Sequence, residues 1–311
     1  MSVRVGRSGV LVVDKGAGAT SFDVVALVRR RLRVRRVGHA GTLDPGATGV
    51  LPVLIGEATK LTPYLMDQDK EYVATVRFGL TTDTLDVSGR VLSETAVFRL
   101  ERYLLEEACR PFVGRIKQVP PMYSAVHHAG RRLYELAREG IEVDREPREV
   151  VVRSIVVDEV APPRATLRVV CGKGTYVRVL AADLGAALGY GGAVERLVRC
   201  RVGPFGLADA IPWADVTDGD VAVLWSRVEP PESALAGWRR VTLDERTAAA
   251  FVHGQAVEVR APARGEAGSH VRVHDAAGGL LGIGTVAADG CQIKPVRILH
   301  ADRPGTRVLP A

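Results

Sequence analysis

The chain has 311 residues, 47% apolar and 25% charged, which suggests two folded domains and excludes a disordered polypeptide. Net charge is +6, and only six of the 42 basic side chains are lysine, so the surplus is arginine, which grips phosphates at two points and stacks on bases. Four scattered cysteines (Cys109, Cys171, Cys200, Cys291) with no C-x-x-C pair argue against a zinc site or a disulfide framework and fit a reducing cytosol, and neither a signal peptide nor a membrane-length apolar run is evident, so a cytoplasmic protein with no membrane contact is expected.

Gly9–Lys15 (GVLVVDK) reads as a strand. Thr20 and Asp23 form a capping signature that opens a helix running into the arginine-rich stretch 29–36. The intervening Gly-x-Gly does not make a dinucleotide site: Ser21 stands in place of the third glycine and Arg36 in place of the ribose-binding acid. Residues 38–49 (GHAGTLDPGATG) then surround one acid, Asp44, with four glycines and lead into the apolar run 50–55, a buried strand or core segment. Asp-Pro-Gly alone is a surface turn, but a basic helix before it and a buried segment after it suit a loop where another molecule approaches the backbone.

Residues 71–80 alternate, placing Tyr72, Ala74, Val76, Phe78 and Leu80 on one face of a strand. An acidic turn follows at 81–90, then a helix at 99–109. Residues 114–140 read as a proline-interrupted basic loop running into a basic helix. Two strands are predicted at 148–160 and 165–172, and a helix over 175–189 with Val177, Leu180, Ala181, Leu184 and Leu188 on one face. The "CGKGT" before that helix is no P-loop, because Leu167 occupies the position of the required first glycine. Strands alternating with helices, together with a hairpin-like pair, argue for an α+β fold with a mixed sheet. From about Trp213 to Trp238 the chain reads as a linker or short helical spacer, followed by a short helix and glycine-separated short strands, a small β-barrel of roughly 65 residues.

Two positions call for partners. Arg178 falls in the first turn of its helix, where a cation opposes the helix dipole at a cost of about 0.3–1 kcal/mol unless an anion meets it. Tyr72 begins an apolar strand face, and a buried hydroxyl there requires a hydrogen bond.

The segments GHAGTLDPGATGVLPVLIGEATK, KEYVATVRFGLTTDTLDVSG, QVPPMYSAVHHAGRRLYELAREG and GTYVRVLAADLG occur in this order, and together they resemble the bacterial tRNA pseudouridine synthase B (TruB) family over about residues 9–212. The final block resembles the small RNA-binding PUA barrel appended to those enzymes. The resemblance implies a pseudouridine synthase catalytic domain with a mixed sheet over 1–237, an RNA-gripping insert at about 115–150, and a PUA-like domain over 238–311. It implies isomerisation of uridine-55 in the T-loop of tRNA, with no cofactor and no metal, by a monomer that needs no protein partner. Asp44 would be the nucleophile or base, attacking C1′ or C6 or taking a sugar proton. Arg178 would pair with Asp44, Asp86 would join that arginine–aspartate network, and Tyr72 would stack on the uracil and help remove the C5 proton. His39 would wedge into the T-loop in place of the flipped uridine. Tyr176 would line the pocket near the phosphate, Leu197 would wall it, and Lys60, Arg131 and Arg132 would contact RNA. The loop glycines would let the RNA backbone come close to Asp44. Arg260 is the sole base in the barrel's first strand, and the basic stretch 294–303 would suit the acceptor stem. Gly16, where the family usually has proline, is a departure that weakens any assignment to Lys15. A guide-dependent relative acting on ribosomal RNA and an RNA chaperone without chemistry are the competing readings; the long insert argues against the first, and the intact Asp44, Tyr72 and Arg178 against the second.

Overall fold

A computed structural model describes residues 8–259 and 267–299; Arg260 and residues 300–303 of the basic C-terminal stretch lie outside the described residues. The first of two large sheets has eleven strands. Its main path runs Ile211–Pro212, Gly9–Lys15, Thr48–Ile55, Gly192–Val202, Lys70–Phe78, Arg164–Cys171, Arg148–Ala161 and Gly114–Gln118. The Gly192–Val202 strand is parallel to Thr48–Ile55 and antiparallel to Lys70–Phe78, so the sheet is mixed. The sequence pattern names no strand over 192–202, because Glu195, Arg196, Arg199 and Arg201 interrupt its apolar run.

Alternation along the strands gives the sheet two apolar faces. Leu11, Val13, Leu51, Val53, Ala74 and Val76 share one core with the helices Ser21–Leu32 and Val177–Ala187. Val10, Val12, Val50 and Leu54 share another with Ile283 and Leu299 of the C-terminal region. The first helix starts as its sequence dictates, with a reciprocal capping box between Thr20 and Asp23. The 114–140 region differs from a plain loop-to-helix reading. Gly114–Gln118 is an edge strand paired with Arg148–Ala161, and a two-residue hairpin precedes the helix Leu133–Arg138.

The stretch after Trp213 is not a linker. It forms the helices Trp213–Asp218 and Val221–Ser226, buries Val216 and Leu224, and returns Val228–Glu229 to the sheet beside Gly9–Lys15. Beyond it a five-stranded sheet runs Arg240–Thr242, His270–His274, Leu280–Val286, Gln292–Ile298 and Val257–Glu258, with Phe251 of the helix Glu245–Val252 buried in its core. This is the half-barrel of a PUA-like domain, and its two end strands are not paired to each other among the described residues. Among the described residues no helix is long and apolar enough to cross a membrane.

One glycine decides how closely the central strands meet. Gly49 has φ +104°, and a Cβ there would stand 2.2 Å from the Arg199 carbonyl oxygen. Gly46, in the Asp44 turn, has open space around it and no positive φ. Gly49→Ala should therefore lower Tm by roughly 5–10 °C, whereas Gly46→Ala should shift it by less than about 2 °C; thermal unfolding of the two variants side by side measures the difference.

Candidate active site around Asp44

The loop carrying Asp44 is tied down at nearly every residue. Ala47 N–H donates to the Asp44 carbonyl at 3.1 Å, closing a turn over Pro45 and Gly46. Before the turn, the Ser21 hydroxyl both donates to the Leu43 carbonyl (3.1 Å) and accepts from the Leu43 N–H (2.8 Å). After Asp44, the Pro45 carbonyl accepts from the Gly18 N–H (2.9 Å) and from the Lys15 ammonium (3.2 Å). The backbone is thus preset, and the carboxylate projects from it half-exposed, at 40%.

Arg178 meets it. Its Nε donates to Asp44 Oδ2 at 2.8 Å, Nη1 to the Thr84 carbonyl at 2.7 Å and Nη2 to the Tyr123 carbonyl at 2.8 Å. The guanidinium is 5% exposed, so these acceptors replace the water it has lost. The single carboxylate contact leaves Asp44 Oδ1 without an arginine bond, in contrast to a two-point fork.

Below the loop, one row of cross-strand partners carries Lys15, Gly49, Arg199 and Tyr72 side by side. Directly opposed residues share a sheet face, so the side chains of Lys15, Arg199 and Tyr72 point toward the helices and the Asp44 loop. Lys15 is fully buried and donates to the carbonyls of Gly16, Ala19 and Pro45. Burial lowers its pKa to about 8, with the Asp44 charge opposing and the Arg199 charge adding to the drop. Arg199, 1% exposed, donates to the carbonyls of Val50 (2.8 Å), Thr42 (3.3 Å) and Gly41 (3.0 Å). Burial raises the Tyr72 pKa, and the neighbouring Arg199 cation pulls it partly back. The next pair on the same face of these strands is Ala74 opposite Leu197, an apolar floor beside Tyr72.

The other expected residues divide. His39 ends a short strand paired with residues 53–55, its Nδ1 is buried without a partner, and burial followed by the Arg199 charge lowers its pKa. Tyr176 caps the helix of Arg178 and is clamped by Gln118, whose side-chain amide accepts from the Tyr176 N–H (2.9 Å) and donates to its carbonyl (3.3 Å). Burial raises the Tyr176 pKa.

Asp86 makes no bond to Arg178. Its carboxylate accepts from Thr84 and Ser88, shaping the turn that presents the Thr84 carbonyl to Arg178, so its link to the arginine is indirect. Lys60 pairs with Glu57 at 2.6 Å and donates to the Ile298 carbonyl of the C-terminal sheet at 3.0 Å. Arg131 and Arg132 are exposed on the short hairpin, the first paired with Glu139 and the second beside the Tyr134 ring.

The arginine run is also split. Arg31 donates to the carbonyls of Val216, Thr217 and Gly219, and Arg36 pairs with Glu57. Arg30, Arg33 and Arg35 remain exposed and without a side-chain partner among the described residues. The loop glycines serve the protein more than an incoming ligand: Gly41 (φ +99°) and Gly49 turn and fit the backbone against Arg199. Sequence reasoning missed Arg199 and Gln118, and set Lys15 aside. Arg199 carried no signal, since the sequence pattern names no strand over 192–202, and nothing local marks Gln118.

An oriented, half-exposed carboxylate beside an aromatic side chain and an apolar wall can act as nucleophile or base on a planar ring substrate. Among the described residues no cluster of His, Cys, Asp and Glu could hold a metal ion.

Three family descriptions match consecutive stretches: the TruB family pseudouridylate synthase N-terminal domain over residues 29–177, the tRNA pseudouridylate synthase B C-terminal domain over 178–236, and the pseudouridine synthase II TruB C-terminal region over 240–299. The chain is 42% identical to a tRNA pseudouridine synthase B of Saccharophagus degradans, covering 95% of this chain and 97% of the relative. It is 44% identical to that of Pseudomonas aeruginosa, covering 96% and 98%. A solved Cbf5–Nop10–Gar1 complex contains a chain 27% identical with a TM-score of 0.72, covering 95% of this chain and 85% of that one.

The buried Lys15 supplies a pH signature. Unfolded, it keeps its proton up to about pH 10.5; folded, it releases it near pH 8, so between those values the unfolded chain binds the extra proton and stability rises with pH. Relative to Lys15→Met, the native protein should gain up to about 1.4 kcal/mol per pH unit from pH 8 to 10, read by denaturant unfolding. A pH-independent difference would mean that the amine is never neutral in the fold.

Proposed function

The chain belongs to the TruB family of pseudouridylate synthases, and we propose that it isomerises uridine-55 in the T-loop of tRNA to pseudouridine. The N1–C1′ bond breaks, the uracil turns, and C5 bonds to C1′ as C5 loses its proton and N1 takes one up, with no net redox change. The observation that carries this reading is the pairing of a half-exposed Asp44 with the buried Arg178 guanidinium at 2.8 Å. In it, Asp44 attacks the nucleoside or removes a sugar proton, Arg178 aims the carboxylate, and Tyr72 stacks on the displaced uracil. Leu197 keeps water from the ring, and Tyr176 lies toward the phosphate. His39 fills the gap left by the flipped nucleotide. Catalysis belongs to residues 1–237 and RNA binding is shared with 238–311, and the chain acts as a monomer in the cytoplasm without a protein partner or cofactor. The hairpin carrying Arg131 and Arg132 grips phosphate, and because Tyr123 at the root of that excursion bonds Arg178, docking of RNA there bears on the catalytic pair.

Asn keeps the shape of Asp44 but is neither nucleophile nor base. Asp44→Asn should bind unmodified tRNA within about threefold of native affinity and form no pseudouridine in single-turnover assays, a loss beyond the ~10²–10⁴ typical of one acid–base helper. A tenth of native turnover in that variant would return Asp44 to the status of a turn residue. Position 55 is checked by locating pseudouridine in the reacted tRNA.

Salt dependence separates the gripping arginines from the structural ones. Replacing Arg30, Arg33 and Arg35 by Ala should flatten the slope of log affinity against log salt by roughly 1–2. Arg31→Ala should leave the slope unchanged and lower Tm, because that guanidinium ties one helix to another.

A further inference from the structure

Arg199 has no part in the chemistry just described, yet every feature of its surroundings bears on it. It is buried, and among the described residues its guanidinium pairs with no carboxylate. A buried cation without a counter-charge is costly unless its donors are met by well-placed acceptors. Here the acceptors are three backbone carbonyls, and their places in the chain matter. Gly41 and Thr42 stand at the entry to the Asp44 loop and Val50 at its exit, so one planar group closes the loop across its base. In the sheet, the residue opposite Arg199 is Tyr72. On the other side the strand pairs with Gly49, whose missing side chain lets the two backbones meet.

We infer that Arg199 is a positioning residue that sets the Asp44 loop and Tyr72 in a single register, so that the carboxylate and the aromatic ring reach the uridine together. The inference rests on the proposed roles of Asp44 and Tyr72. The plain alternative, a core side chain that merely satisfies stray carbonyls, does not require the acceptors to flank the catalytic acid or the cross-strand neighbour to be the ring. The charge has consequences of the same reach: it opposes the burial-driven rise at Tyr72 and, after burial, adds to the lowering at His39 and Lys15. Lysine cannot replace it. An ammonium is a compact point charge, whereas the guanidinium spans carbonyls on both sides of the loop with donors fixed in one plane.

The test uses the full chain and an unmodified tRNA transcript, with Arg199→Lys, which keeps the charge, and Arg199→Met, which keeps the length and suits a buried site. Single-turnover rates at saturating enzyme are measured well below each variant's Tm, and tRNA affinity is measured separately. The expected result is a rate about 30–100-fold below native in both variants with affinity within about threefold, since misplacing reacting groups by ~1 Å costs rate on this scale without removing a substrate contact. A merely structural arginine would lower Tm and leave the rate of the folded enzyme alone. Rates within threefold of native in the folded variants overturn the inference. Failure of both variants to fold also overturns it, because the arginine would then serve the fold only. If the native chain itself makes no pseudouridine in this assay, the reading of the reaction falls, and the inference with it; that outcome is distinguished by the native control.

Discussion

A guanidinium removed from water must find acceptors for its donors, and the way Arg178 finds them organises the site. Its three bonds end on three separate pieces of chain: the Asp44 loop, the turn at Thr84 and the excursion at Tyr123. None of these touches the others through the strand ladder. They converge because one helix delivers one arginine at its second residue, just after Tyr176. The helix dipole there disfavours a cation, so the pairing with Asp44 offsets a local cost as well as the cost of burial. Gln118 extends the arrangement: by clamping both backbone groups of Tyr176 it holds the start of that helix against the edge strand from which the excursion departs.

The sheet beneath separates two tasks by face. Odd positions of the first strand, Leu11 and Val13, look toward the helices and lead to Lys15 in the row under Asp44. Even positions, Val10 and Val12, join the core that reaches Ile283 and Leu299. The C-terminal sheet is therefore mounted on the back of the strands that carry the site. Lys60 belongs to this mounting: bonded to Glu57 and to the Ile298 carbonyl, it joins the two regions.

Much of this was legible in the sequence where the pattern was local. The capping pair Thr20 and Asp23, the alternation from Tyr72 to Phe78 and the helix after Thr175 each carry their own period or cap, and the structure places elements there. What escaped depended on distant partners. The strand Gly192–Val202 looks polar because its charges lie on two sides of a central position, with Arg199 turned inward and the other three charged residues less buried. The spacer after Trp213 looked like a linker because its helices are short, and only its return to the sheet beside Gly9–Lys15 reveals it as part of the fold. Asp86 and Lys60 show the same limit: a charged residue near a site in sequence satisfies whichever partner the fold brings closest.

The glycines around Asp44 fit this account. A ligand-facing role would leave each of them open to solvent, as Gly38 and Gly46 are. Gly41 and Gly49 instead adopt positive φ against Arg199, one at each end of the loop. With Lys15, Ser21 and Arg199 binding the loop carbonyls from below, the backbone has its acceptors filled before any substrate arrives. Both buried cations of the row, Lys15 and Arg199, spend their donors on backbone carbonyls, so Asp44 is left as the acidic group presented above it, with Arg178 as its ion-pair partner. In the proposed reaction such a site is preorganised: the protein has already placed its dipoles, and the direction of the Asp44 carboxylate is set by the fold rather than by binding.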